Sequence, residues 1–155
     1  MRAHGMAGHL IRRLHQISTQ VFTKRMQEAG FDLTPVQFAA MDAIVTHPGI
    51  DQAGVAAMIA YDRATIGGVI DRLEQKGYVA RTVSPHDRRA REVRPTERGM
   101  RAIEEIAPVV TALQEDILAG LDKAERASFL ELAAKAIGNP ADPAPSGTAG
   151  QEKAD

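Results

Sequence analysis

Residues 61–99 read YDRATIGGVIDRLEQKGYVARTVSPHDRRAREVRPTERG. Asp62 can cap a helix from Arg63 to Lys76, and Ile66, Val69, Ile70 and Leu73 fall at i, i+3, i+4 and i+7 on one face of it. Gly77 supplies the stop. Tyr78 to Val83 is β-branched enough for a strand, and Glu92-Val93-Arg94 suits its return partner. Between them Ser84-Pro85-His86-Asp87-Arg88-Arg89 makes a polar hairpin tip, and Thr96 can cap the next helix.

Upstream, Leu10, Leu14, Ile17 and Val21 form one apolar stripe on a helix expected from about Met6 to Glu28, with Gly30 as its stop. Thr34-Pro35-Val36-Gln37 has the capping-box pattern with Pro in the first turn. That second helix should end near Thr46, because His47-Pro48-Gly49 is a breaker cluster. Asp51 can cap a short third helix through about Ile59. Two short helices around Ala60-Tyr61, followed by a hairpin, describe a helix-turn-helix with a wing. Downstream, Ile103, Ile106, Val110, Leu113 and Ile117 stripe a long helix that Pro108 should kink rather than end. Asp122 to Glu125 imitates a second capping box and opens a last helix to about Ile137. Residues 138–155 are rich in Pro, Gly, Ala and Ser without periodicity, as in a disordered tail. The expected fold is mainly α (α+β), a single winged helix-turn-helix domain over 1–137, with its lobe at about 34–98.

Composition narrows the function. With 155 residues and 44% hydrophobic content the chain can bury a core, and with 4% aromatics and no Trp that core must be aliphatic. The apolar runs are too short to span a bilayer and no apolar block follows the first basic residues, so no membrane partner and a cytoplasmic, bacterial location are expected. Zero cysteines exclude disulfides, thiol catalysis and a cysteine redox switch. His4, His9, His15, His47 and His86 show no ligand spacing, so no metal and no cofactor are expected. No Gly-rich phosphate loop, nucleophile elbow or HExxH is present, and Ser84-Pro85-His86-Asp87 belongs to the hairpin, so an enzyme is not expected. The formal net charge of −1 hides an asymmetry: 1–62 is neutral, 63–101 carries +5 and 102–155 carries −6. A basic middle is either a solvated face or the docking place of one anionic partner.

In a helix-turn-helix the N-terminal residues of the second helix meet base edges in the major groove. Here those are Arg63, Ala64, Thr65, Gly67 and Gly68, with Arg72 one turn on. Two adjacent glycines cost a helix up to ~2 kcal/mol relative to alanine. They either loosen it, allow close helix packing, or let bare backbone approach bases or phosphates. On the tip, Arg88, Arg89 and Arg91, near Arg81 and Arg94, suit the negative potential of a narrow minor groove. Asp87 can orient Arg89 or the turn itself. A solvated hairpin, a winged module used for protein contact, and a DNA binder with no ligand remain the alternatives.

The stretch 61–99 resembles the recognition helix and wing of MarR-family transcription regulators. The resemblance is carried by Asp71-Arg72-Leu73-Glu74, by Gly77 before the strand, by Asp87-Arg88-Arg89, and by Thr96-Glu97-Arg98-Gly99, with the helix order matching from about 6 to 137. Gly67-Gly68 departs from it, since relatives often carry polar or basic side chains there. The absence of cysteine excludes the peroxide-sensing branch. The resemblance implies a homodimer, formed by helices 6–28 and 98–137, on double-stranded, pseudo-palindromic operator DNA. The apolar stripes after residue 98 support a twin independently, because a small winged module cannot cover them all. The resemblance also implies a small anionic or phenolic ligand where the dimerisation helices meet the lobe. His9, Arg12, Arg13, His15 and Ser18 are its candidate wall, and Phe38 and Met41 its apolar floor. An Arg fork suits a carboxylate, and HLIRRLHQI at 9–17 resembles the branch controlling aromatic-acid degradation. An aromatic carboxylate effector releasing a repressor is the expectation; otherwise Arg12, Arg13 and His15 are ordinary solvated side chains.

Overall fold

The computed structural model describes residues 3–138. After a 3-10 turn at Ala3–Gly5, the elements are α1 (Ala7–Glu28), α2 (Pro35–Thr46), β1 (Ile50–Asp51), α3 (Gln52–Met58), α4 (Ile66–Gln75), β2 (Val79–Val83), β3 (Arg91–Pro95), α5 (Glu97–Ile117) and α6 (Lys123–Ala136). They form two compact units, one ending at Ile117 and one starting at Leu118. The expected tail, apart from Gly138, lies outside the described residues.

Local chemistry sets the boundaries in the first unit. Thr34 Oγ1 accepts from Gln37 N–H at 3.2 Å while Gln37 Oε1 accepts from Thr34 N–H at 3.3 Å, so the expected capping box starts α2. Asp51 Oδ1 accepts from Gly54 N–H at 2.7 Å and starts α3. At the end of α4, Gly77 adopts φ +76, which lets Tyr78 N–H reach Leu73 O at 3.0 Å and Gly77 N–H reach Glu74 O at 2.9 Å. Thr96 Oγ1 accepts from Gly99 N–H at 3.0 Å and donates to Gly77 O at 2.6 Å, tying the start of α5 to the end of α4. α5 runs through Pro108 to Ile117, as the unbroken apolar stripe requires.

Two expectations need correction. α4 begins at Ile66 rather than Arg63. The Asp62 carboxylate accepts from Ala64 N–H at 2.9 Å, and Asp62 O accepts from the N–H groups of Thr65 and Ile66 at 3.1 Å. These bonds close a turn on Asp62, so Arg63, Ala64 and Thr65 stand on a turn before α4. The second difference is the short strand β1, too brief to show periodicity. It pairs antiparallel with β3 (Ile50 opposite Val93), giving the sheet order β1-β3-β2.

The buried faces of these elements meet in one core: Phe22 and Met26 of α1, Met41 and Ile44 of α2, Val55 of α3, Ile66, Ile70 and Leu73 of α4, Val79 and Val93 of the sheet, and Ile103, Ile106 and Leu113 of α5. Arg25 adds a polar tie between α1 and α5, donating through Nε and Nη2 to Asp116 at 2.9 and 2.6 Å. In the second unit Asp122 and Glu125 form the expected capping box for α6.

Candidate nucleic-acid interface

The α3–α4 connection turns sharply at Ala60, whose φ is +52. The turn at 62–65 then leaves Arg63, Ala64 and Thr65 exposed. Within α4, the buried face of Ile66, Val69, Ile70 and Leu73 leaves Gly68 and Arg72 exposed and Gly67 half-buried on the outer side.

The hairpin between β2 and β3 is held by its own hydrogen bonds. Ser84 N–H donates to Ala90 O at 3.0 Å, and Ala90 N–H to Asp87 O at 3.0 Å. Asp87 Oδ1 accepts from Arg89 N–H at 2.9 Å. Asp87 therefore orders the turn, and its carboxylate meets the backbone of Arg89 rather than its guanidinium. Ser84, the first residue of the polar tip, is buried, and its Oγ accepts from the N–H groups of His86 and Asp87 at 3.2 and 3.4 Å. A serine before proline at the end of a strand was the signal available for it. Pinned in this way, Asp87, Arg88, Arg89 and Arg91 stay exposed.

The fold brings the two loops together. Arg63, Arg89 and Arg91 line one open cleft of about 390 Å³ with Asp51, Gln52, Ile66 and Asp87. Three arginines against two aspartates give the lining a net positive charge, which favours an anion there. Arg72 instead borders a hollow with Thr34, Gln37, Tyr61, Thr65 and Gly68.

Arg81 and Arg94, which the sequence places near the tip, are engaged elsewhere. Arg81 donates through Nη1 to Gln52 Oε1 at 2.9 Å and through Nη2 to Asp71 and Glu74. Partial burial works against its charge but is outweighed by those carboxylates, which raise its pKa; its hydrogen bonds in turn lower that of Glu74. Asp71 and Glu74, at i and i+3 on α4, form the acidic half of this clamp. Arg94 pairs with Glu92 at 3.7 Å and lies over Gly49.

The residues singled out for a ligand lie on α1 and α2. On α1, Arg12 Nη2 lies 3.2 Å from His9 Nδ1, and Arg13 Nη1 donates to Gln16 Oε1 at 3.2 Å. His15 is exposed and Ser18 half-buried. Phe38 lines a hollow with Asp42, Thr46, His47 and Met58 that includes none of these α1 residues. Met41 is 1% exposed, within the core. Among the described residues no group of three or more His, Asp or Glu is arranged to hold a metal ion, and no helix is long and apolar enough to cross a membrane.

The sequence model of the MarR family matches residues 31–90, the lobe that holds both loops. The chain is 32% identical to the HTH-type transcriptional repressor NicR of Pseudomonas putida over 84% of its own length and 81% of that protein. Its fold superposes with a TM-score of 0.81 on a structure described as the mechanism for regulation of DNA binding of Bordetella bronchiseptica BpsR by 6-hydroxynicotinic acid, at 30% identity over 92% of this chain and 99% of that one. It superposes with a TM-score of 0.80 on the PcaV transcriptional regulator of Streptomyces coelicolor in complex with its natural ligand, at 29% identity over 89% of this chain and 96% of that one. A winged helix-turn-helix with its cationic turn and hairpin on one face, and relatives of this identity across most of its length, make this chain a member of the MarR family of DNA-binding transcriptional regulators.

Proposed function

We propose that the protein is a homodimeric repressor that occupies a pseudo-palindromic double-stranded operator and leaves it when a small aromatic carboxylate binds. The observation that carries this reading is the cleft shared by Arg63, Arg89 and Arg91. In this reading the turn and outer face of α4 (Arg63, Ala64, Thr65, Gly67, Gly68 and Arg72) enter the major groove, while Asp87, Arg88, Arg89 and Arg91 clamp the adjoining minor groove.

Dimerisation is supported by apolar side chains left in water. Leu10 and Ile11 of α1 are 50% and 66% exposed, and Leu130, Leu132 and Ile137 of the second unit 59%, 65% and 78%. Such surface on neighbouring turns favours association with a twin. The proposed organisation is one domain over 1–137, with 34–98 as the DNA-binding lobe and helices 6–28 and 98–137 forming the dimer, acting in the bacterial cytoplasm.

For the effector, 6-hydroxynicotinic acid, which regulates DNA binding of the Bordetella relative, is an aromatic acid. Arg12 and Arg13 stand exposed beside His9 and Gln16, so both can receive a carboxylate. His9, His15 and Ser18 complete the proposed wall, with Phe38 and Met41 beneath it; closing such a site requires the second protomer or a shift of α1 toward the lobe. The test is fluorescence anisotropy on a labelled duplex from the DNA flanking the gene, titrated with 6-hydroxynicotinate. The expected result is two chains per duplex and an affinity about ten- to a hundred-fold weaker with effector, a coupling of roughly 1.4–2.7 kcal/mol. One chain per duplex, or an affinity the acid leaves unchanged, contradicts the proposal.

A further inference from the structure

Gly67 and Gly68 stand in the first turn of α4, and nothing among the described residues requires glycine there. Neither has a positive φ. A Cβ built on Gly68 meets no heavy atom within 4 Å, and one on Gly67 meets only Gln52 Nε2, at an ordinary 3.7 Å. Gly99 is the contrast: its Cβ would lie 2.0 Å from Tyr78 O. Where alanine fits without strain, glycine only weakens a helix, so two in succession weaken α4 with no gain in packing.

Their surroundings say what lies outside. Gly67 neighbours Gln52, at the rim of the cleft that holds Arg63 and Arg89, and Gly68 borders the hollow that holds Thr65 and Arg72. The bare backbone is thus the middle of a surface whose flanks are cationic. Gly68 N–H already donates to Thr65 O at 3.2 Å, so Gly68 presents Cα–H surface rather than a free donor.

We infer that Gly67 and Gly68 are specificity-determining positions, at which the α4 backbone closes on the major-groove edge of the bases in the space a Cβ would fill. The inference rests on the DNA-facing role proposed above for the outer face of α4. A phosphate calls for charge or a donor, which Arg63, Arg72 and Arg89 supply at the flanks. An apolar Cα–H surface suits the C5 methyl of thymine. Selection then comes from a missing side chain: the methyl of a T·A pair fits where any larger residue collides.

The test starts from duplexes recovered by the wild-type chain from a random pool about three helical turns long. Affinities for the recovered duplex and for an unrelated one are then measured with the wild type, Gly67→Ala and Gly68→Ala. Each substitution should raise the thermal midpoint by about 2–4 °C. Each should weaken binding to the recovered duplex by about ten-fold, and leave the unrelated duplex within about two-fold. Replacing the contacted thymine by uracil, which deletes the methyl, should weaken the wild type but cost the alanine variants nothing further. Alanine variants that hold the recovered duplex as tightly as the wild type, or that lose both duplexes equally, overturn this inference and leave the DNA-facing role of α4 intact. A wild-type chain that enriches no sequence from the pool overturns that role as well.

Discussion

Arg81 is joined twice to Glu74: its backbone N–H donates to Oε2 at 3.0 Å and its Nη2 to Oε1 at 3.2 Å. The pair ties β2, and so the hairpin, to α4. Arg81 also reaches Asp71 on α4 and Gln52 at the start of α3, so one side chain references three elements to one another.

Hydrogen bonds from Arg81 hold the Glu74 pKa below its ordinary value of 4.5. A carboxylate depressed in the folded state contributes stability that is complete above its unfolded pKa and is lost as pH falls through the folded one. Stability of the wild type should therefore decline in acid below about pH 4.5 more steeply than that of Glu74→Gln. Arg81→Ala should cost roughly 1–2 kcal/mol at neutral pH, since solvent screens part of the pair. Denaturant unfolding of both variants from neutral pH into acid checks this. An acid limb unchanged by Glu74→Gln would show that the contact contributes nothing.

Gly99 Cα packs against the carbonyl of Tyr78, where α5 leaves the sheet. Gly99→Ala places a methyl inside that carbonyl's contact distance and should destabilise the fold by about 3 kcal/mol or more. Gly68→Ala, which meets empty space, should stabilise it. Thermal unfolding of the two side by side separates a glycine the fold requires from one it does not.

Helices and caps were legible because each rests on local chemistry: Thr34 with Gln37, Asp122 with Glu125, and Gly77 each act within a few residues. The start of α4 was misread because Asp62 has two local options, and from sequence a cap and a side-chain turn look alike. β1 was invisible because two residues carry no period. The grouping of Arg63 with Arg89 and Arg91, and the diversion of Arg81 to Asp71 and Glu74, depend on which charges the tertiary fold brings near one another. All five arginines near the tip look equivalent in the sequence; the structure removes Arg81 from the exposed set. Of the α1 residues only the spacing along one helix was readable, not their distance to Phe38 and Met41 on α2.

If Arg12 or Arg13 receives the effector carboxylate, Arg12→Ala or Arg13→Ala should abolish the response to 6-hydroxynicotinate while leaving DNA affinity within about two-fold, since neither lines the cleft of Arg63 and Arg89. Because coupling is reciprocal, bound duplex should weaken effector binding to the wild type by the same factor by which the effector weakens DNA binding. Titration calorimetry with and without duplex measures both. An effector affinity that DNA leaves untouched would separate the ligand from regulation.

In the proposed function the turn before α4 and the hairpin act together on DNA through one cationic cleft. The most direct measurement of this joint action is the affinity of the double variant Arg63→Ala/Arg89→Ala for the duplex the wild type selects, at physiological salt. Both side chains are exposed, so the thermal midpoint and the sedimenting mass should not change. Loss of two groove or backbone contacts per chain should weaken binding by roughly 2–6 kcal/mol and flatten its salt dependence. An affinity within about two-fold of the wild type, with the salt slope unchanged, would contradict the account.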